Sequence, residues 1–175
     1  MANDVAKLAL SLKPGAIEPN DAIKARIDDV RITTGENISL ARGEMLSGGS
    51  FARYIHHDGK TGVLLQYEGE LPAEIGTGIC QHITAHVPTP QAIDESGMPQ
   101  EAVEAQKALA VKEAEESGKP REIAEKIAQG KMRKYFEENT LLGQAYVKDD
   151  KKSVKDLLPT GVKLVRFVRF AVGGA

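Results

Sequence analysis

Two histidine pairs and a lone cysteine are the residues of this chain whose types and spacing could do chemistry. His82 and His86 stand four apart in His82-Ile83-Thr84-Ala85-His86. On a helix that spacing sets two imidazoles on one face, as a bound metal would need. No Glu or Asp lies between them in the manner of zinc proteases, and spacing marks no third ligand, so the pair reads first as helix packing. In that reading His82 sits at a sheet–helix boundary and His86 is solvated at the helix C-terminus, where the helix dipole favours it. His56 and His57 precede Asp58. A His-Asp neighbour pair can serve acid–base chemistry, yet no recognisable motif places a Ser or Cys nucleophile beside it. Cys80 is the single cysteine, which excludes an internal disulfide and suits a reducing compartment.

Two glycine-rich stretches, Ser47-Gly48-Gly49-Ser50 and Asp58-Gly59-Lys60-Thr61-Gly62, have the composition of phosphate loops. Neither has the Gly-x4-Gly-Lys-Ser/Thr pattern and neither opens a helix, so both read as turns. Direct nucleotide binding is not expected, and no cofactor motif is present. The formal net charge of -2 argues against nucleic acid as the main partner. With 41% hydrophobic and 27% charged residues, the composition is that of a folded globular protein. No apolar run reaches membrane-spanning length and the N-terminus lacks a signal pattern, so a cytoplasmic location without membrane attachment is expected.

The elements that must position these residues follow from pattern. Val5, Leu8 or Ala9, and Leu12 predict a helix over Ala2 to Leu12, stopped by Lys13-Pro14-Gly15. Pro19-Asn20-Asp21 starts a second helix with Ala22, Ile23, Ile27 and Val30 on its apolar side. Thr34-Gly35-Glu36-Asn37 is a turn whose glycine suits a left-handed residue between helix and strand, and Ile38, Leu40 and Ala41 begin a strand running towards Met45. Ser47 to Ser50 forms a flexible joint between two lobes. Phe51 to His57 and Gly62 to Glu68 are strands joined through Asp58-Gly59. A helix from Pro72 to about Val87 buries Ile75, Ile79, Cys80, Ile83 and Val87. Val162 to Val172, β-branched and aromatic, is a last strand.

Between these lies a helical hairpin, roughly Pro99 to Glu138, turning at Ser117-Gly118-Lys119-Pro120. Gly118 supplies the left-handed exit and Pro120 the first turn of the next helix. Ala102, Ala105, Ala108 and Leu109 mark one narrow stripe; Ile123, Ile127, Met132 and Phe136 mark the other. Such stripes suit a protruding two-helix coiled coil. Acidic Glu113, Glu115 and Glu116 face a returning arm rich in Lys119, Arg121, Lys126, Lys131, Arg133 and Lys134, which reads as complementary flanks. The expected fold is α+β: an antiparallel three-stranded sheet packed by helices, an inserted helical hairpin (99–138), a lobe spanning 47–175, and at 1–46 a helix-helix-strand remnant of a second, similar lobe.

Gly130-Lys131-Met132-Arg133-Lys134-Tyr135-Phe136, followed by Leu141-Leu142-Gly143-Gln144-Ala145-Tyr146-Val147-Lys148-Asp149-Asp150, closely resembles the C-terminal part of elongation factor Ts. Thr34-Gly35-Glu36-Asn37-Ile38, the Tyr54-Ile55-His56 to Gly62-Val63-Leu64 hairpin, and Arg166-Phe167-Val168-Arg169-Phe170 resemble it in the same order. The resemblance covers nearly the whole chain and is looser over the first dozen residues. It implies a guanine-nucleotide exchange factor, not an enzyme, whose partner is the translational GTPase elongation factor Tu of bacteria and organelles. It further implies that Gly35, Glu36, Asn37, Tyr54, His56, His57 and His82 contribute to the surface facing that GTPase. Thr34 departs from the apolar residue, usually Ile, that the family carries there. Members of the family open with a small helical module and a Thr-Asp-Phe segment taken to insert near the nucleotide. No Thr-Asp-Phe occurs here, and Met1 to Val5 aligns just after it, as a fragment would. Three readings follow: exchange factor, a module that grips the GTPase without driving exchange, and a metal-dependent enzyme using His56, His82 or His86.

Overall fold

The computed structural model describes residues 1–116, 118 and 120–173. The chain divides into two compact units, Met1–Gly48 and Gly49–Ala175. In the first, α1 (Ala2–Ala9) and α2 (Asp21–Thr34) alternate with two very short strands, β1 (Gly15–Ala16) and β2 (Glu44–Met45), which pair antiparallel. The helix expected to reach Leu12 ends at Ala9, with Leu10 as its cap. The strand expected from Ile38 shrinks to two residues, because its only ladder partner is the equally short Gly15–Ala16. Asn20 caps α2 by accepting the Ile23 N–H at 3.0 Å. Val5, Ala9, Ile23 and Ile27 form the core of this unit, whereas Ala22 is exposed. Arg26 ties the two helices together, donating from Nη2 to Asp4 at 2.9 Å and from Nη1 to Asp29 at 2.6 Å.

The second unit is built on an antiparallel sheet of β3 (Ser50–Ile55), β4 (Thr61–Glu68) and, much later, β7 (Lys163–Ala171), in the order β3-β4-β7. Between β4 and β7 come α3 (Ala73–Ala85), α4 (Gln100–Glu116), α5 (Arg121–Asn139) and a small hairpin of β5 (Ala145–Tyr146) and β6 (Asp149–Ser153). Helices and antiparallel sheets together make the architecture α+β, as expected. Alternation along β4 turns Val63 and Leu65 inward, where they pack with Ile79, Cys80 and Ile83 of α3 and with Leu141, Val154 and Leu164. Val87, expected on this side, is 89% exposed, because the helix has already ended at Ala85. Two helix glycines let α3 lie close to its neighbours: a Cβ on Gly76 would stand 2.8 Å from that of Ala52, and one on Gly78 would collide with the Tyr146 hydroxyl.

Helices α4 and α5 pack antiparallel, and only in part on the expected stripes: Ile127 and Met132 do pack against the seam. Their seam is Ala110 and Ala114 against Ala124 and Ala128, while Leu109 and Ile123 are each 47% exposed. The reason is steric: methyl groups let the two backbones approach, and larger side chains fan out to the flanks. Among the described residues, one ion pair crosses between the arms where complementary flanks were expected. Lys131 bonds Glu113 across the pair, whereas Arg121–Glu125, Arg133–Glu137 and Lys134–Glu138 are one-turn pairs within α5. Gly118 has the expected positive φ of 66°, and Pro120 caps α5 from outside its first turn. Ser117 and Lys119 of the expected turn lie outside the described residues. Substituting Ala114→Leu is expected to cost about 1–3 kcal/mol by overpacking, and Leu109→Ala no more than about 0.5 kcal/mol. Urea unfolding of both variants checks the seam.

Candidate functional site

The loop between β3 and β4 is fixed by its own backbone. The Ile55↔Gly62 pair ends the ladder. The His56 N–H then bonds the Thr61 carbonyl at 2.8 Å, and the Gly59 N–H bonds the His56 carbonyl at 2.8 Å. Asp58 Oδ1 accepts the Lys60 N–H at 2.9 Å, an Asx turn that uses the carboxylate for structure. Gly59, at φ 69°, supplies the left-handed residue that this turn requires. Tyr54 is half-buried against the sheet core, and its hydroxyl shares a hydrogen bond of 3.2 Å with His56 Nδ1. The rings of His56 and His57 lie 4.2 Å apart, and those of Tyr54 and His56 6.0 Å. Tyr54, His56 and His57 thus form one continuous ring surface on the end of a rigid hairpin, a suitable place for contact.

Gly35, Glu36 and Asn37 form a separate exposed turn in the first unit. Gly35 closes α2 at φ 70°, its N–H bonding the Arg31 carbonyl. The Arg31 guanidinium reaches past the turn to the Ile38 carbonyl at 2.5 Å. The turn is therefore held from both sides, with its side chains in solvent.

His82 lies elsewhere altogether. It is fully buried, and both ring nitrogens are engaged: Nε2 with Gln144 Oε1 at 2.9 Å, and Nδ1 with the Val147 N–H at 3.3 Å. A backbone N–H can only donate, so Nδ1 is the acceptor and Nε2 carries the proton. The Gln144 amide nitrogen donates in turn to the carbonyls of Pro88 and Glu138, at 3.0 and 2.7 Å. In this arrangement His82 offers no ring atom to a partner or a metal. His86, expected to be solvated, is half-buried and donates from Nδ1 to the Pro88 carbonyl at 2.9 Å. Burial, more than any neighbour, pulls the His82 pKa below its ordinary value; the Gln144 bond opposes this and His86 adds slightly to it. Burial likewise pushes the Cys80 thiol up to about 12, which leaves it unreactive. Among the described residues no group of three His, Cys, Asp or Glu side chains is placed to hold a metal ion, and no helix is long and apolar enough to cross a membrane. Gln144 is the residue that reading the sequence missed. Its one signal was an amide in the otherwise apolar run Leu141 to Val147.

A family model described as Elongation factor TS matches residues 1–174, through both units and the helix pair. The chain belongs to the elongation factor Ts family. It is 38% identical over 182 residues to "Elongation factor Ts" of Alkalilimnicola ehrlichii, covering 98% of this chain and 61% of that protein. Identity to the namesake of Vibrio atlanticus is 39% over 177 residues, covering 98% and 60%. For Psychrobacter arcticus it is 43% over 140 residues, covering 79% and 46%. The chain thus spans about three fifths of the length of the first two elongation factor Ts relatives. The closing run Gly130 to Asp150, read in the sequence as the elongation factor Ts signature, contributes most of α5, Gln144 and the turn that bonds His82.

The His82 network sets a pH dependence. Because the folded pKa lies below the unfolded value of 6.5, the unfolded chain takes up the proton first as pH falls. Stability is therefore full above about pH 6.5 and declines as pH drops towards the folded pKa. Thermal melts from about pH 7.5 down to about pH 5, the range in which histidine titrates, should show a falling melting temperature. His82→Asn should be less stable at neutral pH and flatter across the window.

Proposed function

We propose that this chain is a guanine-nucleotide exchange factor of translation that binds elongation factor Tu–GDP and promotes release of GDP. The reading is carried by the elongation factor Ts match across residues 1–174. It is supported by two fixed, exposed elements suited to contact: the Tyr54–His56–His57 tip and the Gly35–Asn37 turn. We further read 47–175 as a lobe carrying a coiled-coil excursion at 99–138, and 1–46 as the remnant of a similar lobe. The partner is a protein surface; nucleotide, nucleic acid and membrane are not bound directly. The work is done in the cytoplasm of a bacterium or the matrix or stroma of an organelle.

Exchange of this kind is coupling and needs no covalent step. A factor that weakens GDP binding must itself be bound less tightly when GDP is present. It must also make contacts that exist only in the nucleotide-free state, or it shifts nothing. In this reading the ring surface of His56 and His57 provides affinity and orientation, and His82 acts from within by fixing the helix behind the sheet. A second reading is grip without exchange: contact through these elements supplies affinity whether or not it disturbs the nucleotide site.

Stopped-flow release of fluorescent GDP from elongation factor Tu, with this chain titrated in, tests both. The expected result is binding with stimulation weaker than that of a full-length relative, since coupling of about 1–3 kcal/mol corresponds to about 5–150-fold. Stimulation equal to the relative's would show that these units alone drive exchange; absent binding would defeat both readings. His56→Ala should weaken the complex with nucleotide-free elongation factor Tu while changing stability by about 0.5 kcal/mol or less. Calorimetric binding and a thermal melt on the same sample separate the two effects.

A further inference from the structure

The strand order β3-β4-β7 leaves one side of β7 unpaired. The Val172 N–H donates to the Lys60 carbonyl at 2.8 Å. Antiparallel ladders alternate, so Phe170, Val168 and Arg166 bond β4, and the backbone N–H and C=O groups of Phe167, Arg169 and Ala171 point outward. Among the described residues, no backbone group of another segment bonds these outward groups. Beside the first half of the strand the chain at 91–97 stands off, leaving a cleft of about 520 Å³ that Ile93, Asp94, Lys163, Val165 and Phe167 help to line. A bulge opposite Gln66 and Tyr67 leaves Val165 without a partner on β4 and turns it into this cleft.

The charge of the strand is one-sided. Its sequence, Lys-Leu-Val-Arg-Phe-Val-Arg-Phe-Ala, holds three cations and no acid. Asp94 across the cleft is attracted to Lys163, and its carboxylate also accepts from the Ser96 N–H at 2.9 Å and from the Ser96 hydroxyl at 2.6 Å. Arg169 adds a second, independent observation: its Nε is buried and, among the described residues, has no acceptor. A buried donor on a cation without an acceptor is uncommon, because its lost hydration is not replaced. A carboxylate brought in beside it, on the α3 side of the sheet, is the natural complement. A side chain on an added strand sits directly opposite its neighbour and supplies that carboxylate.

We propose that the outer edge of β7 is a strand-addition site for an extended, acidic segment of a protein partner. Main-chain bonds to Phe167, Arg169 and Ala171 give the affinity, and an acidic side chain on the α3 face of the added strand reads Arg169. The site is independent of the exchange reading, since peptide capture can fail while GDP release is stimulated, and the reverse.

The test uses the full chain and a fluorescein-labelled peptide of alternating Glu and Val, about eight residues long. Three versions are compared: unmodified, N-methylated along one backbone edge, and N-methylated along the other. Strand addition predicts saturable anisotropy binding that one methylation pattern weakens at least about tenfold, by removing bonds and adding clashes, and the other leaves alone. It also predicts slower amide exchange at Phe167 and Arg169 in the complex, and weaker binding by Arg169→Gln. Because the methylation arms use the unaltered protein, a folding defect in that variant does not blunt them. No binding, equal loss with both patterns, or tighter binding of a single-stranded oligonucleotide overturns the proposal.

Discussion

Four stretches of chain meet at the side chain of Gln144, and the second unit depends on that meeting. Its amide bonds His82 of α3, the Pro88 carbonyl beyond that helix and the Glu138 carbonyl at the end of α5, while its own backbone N–H bonds Thr140. His82 and Gln144 are fully buried, and leaving either unpaired would cost about 1–3 kcal/mol. A buried network of this kind stabilises by having no unmet member, and it specifies one arrangement for the same reason. The end of α5 is thereby fixed beside the segment that follows α3.

The sheet depends on the same knot at one remove. Ile79, Cys80 and Ile83 can press on Val63 and Leu65 only while α3 is held at the right depth. Gly76 and Gly78 set that depth by allowing Ala52 and the Tyr146 hydroxyl to come close. In turn the rigid ladder of β3 and β4 lets five loop residues present Tyr54, His56 and His57 as a fixed surface. Precision at the tip is inherited from packing at the base.

Much of this was legible in the residues, and the failures have physical causes. The three long strands and the two long helices announce themselves by β-branched runs, Asp-Gly and helical spacing. The place of His56 and His57 at a hairpin tip was legible as well, from Asp58-Gly59, whereas the contact between their rings was not. Burial of His82 was not, because a histidine's partner may come from any distance; Gln144 lies sixty-two positions away. β6 was missed since its residues, Asp-Asp-Lys-Lys-Ser, carry no apolar alternation and the hairpin is held by its neighbours. The helix seam was misplaced because spacing favours the largest apolar residues, while close approach of two backbones favours the smallest.

An alanine seam has a thermal consequence. Burying a methyl group is worth roughly 0.8 kcal/mol, against about 1.5–3 kcal/mol for each large aliphatic side chain of the sheet core. The helix pair therefore has a weaker apolar hold than the sheet core, even with Ile127 and Met132 packed against its seam. On warming, its amides should open to exchange before those of β4, as a cooperative block of their own. Opening of that block ends at Thr140, whose hydroxyl bonds the Phe136 carbonyl and whose backbone carbonyl accepts the Gln144 N–H.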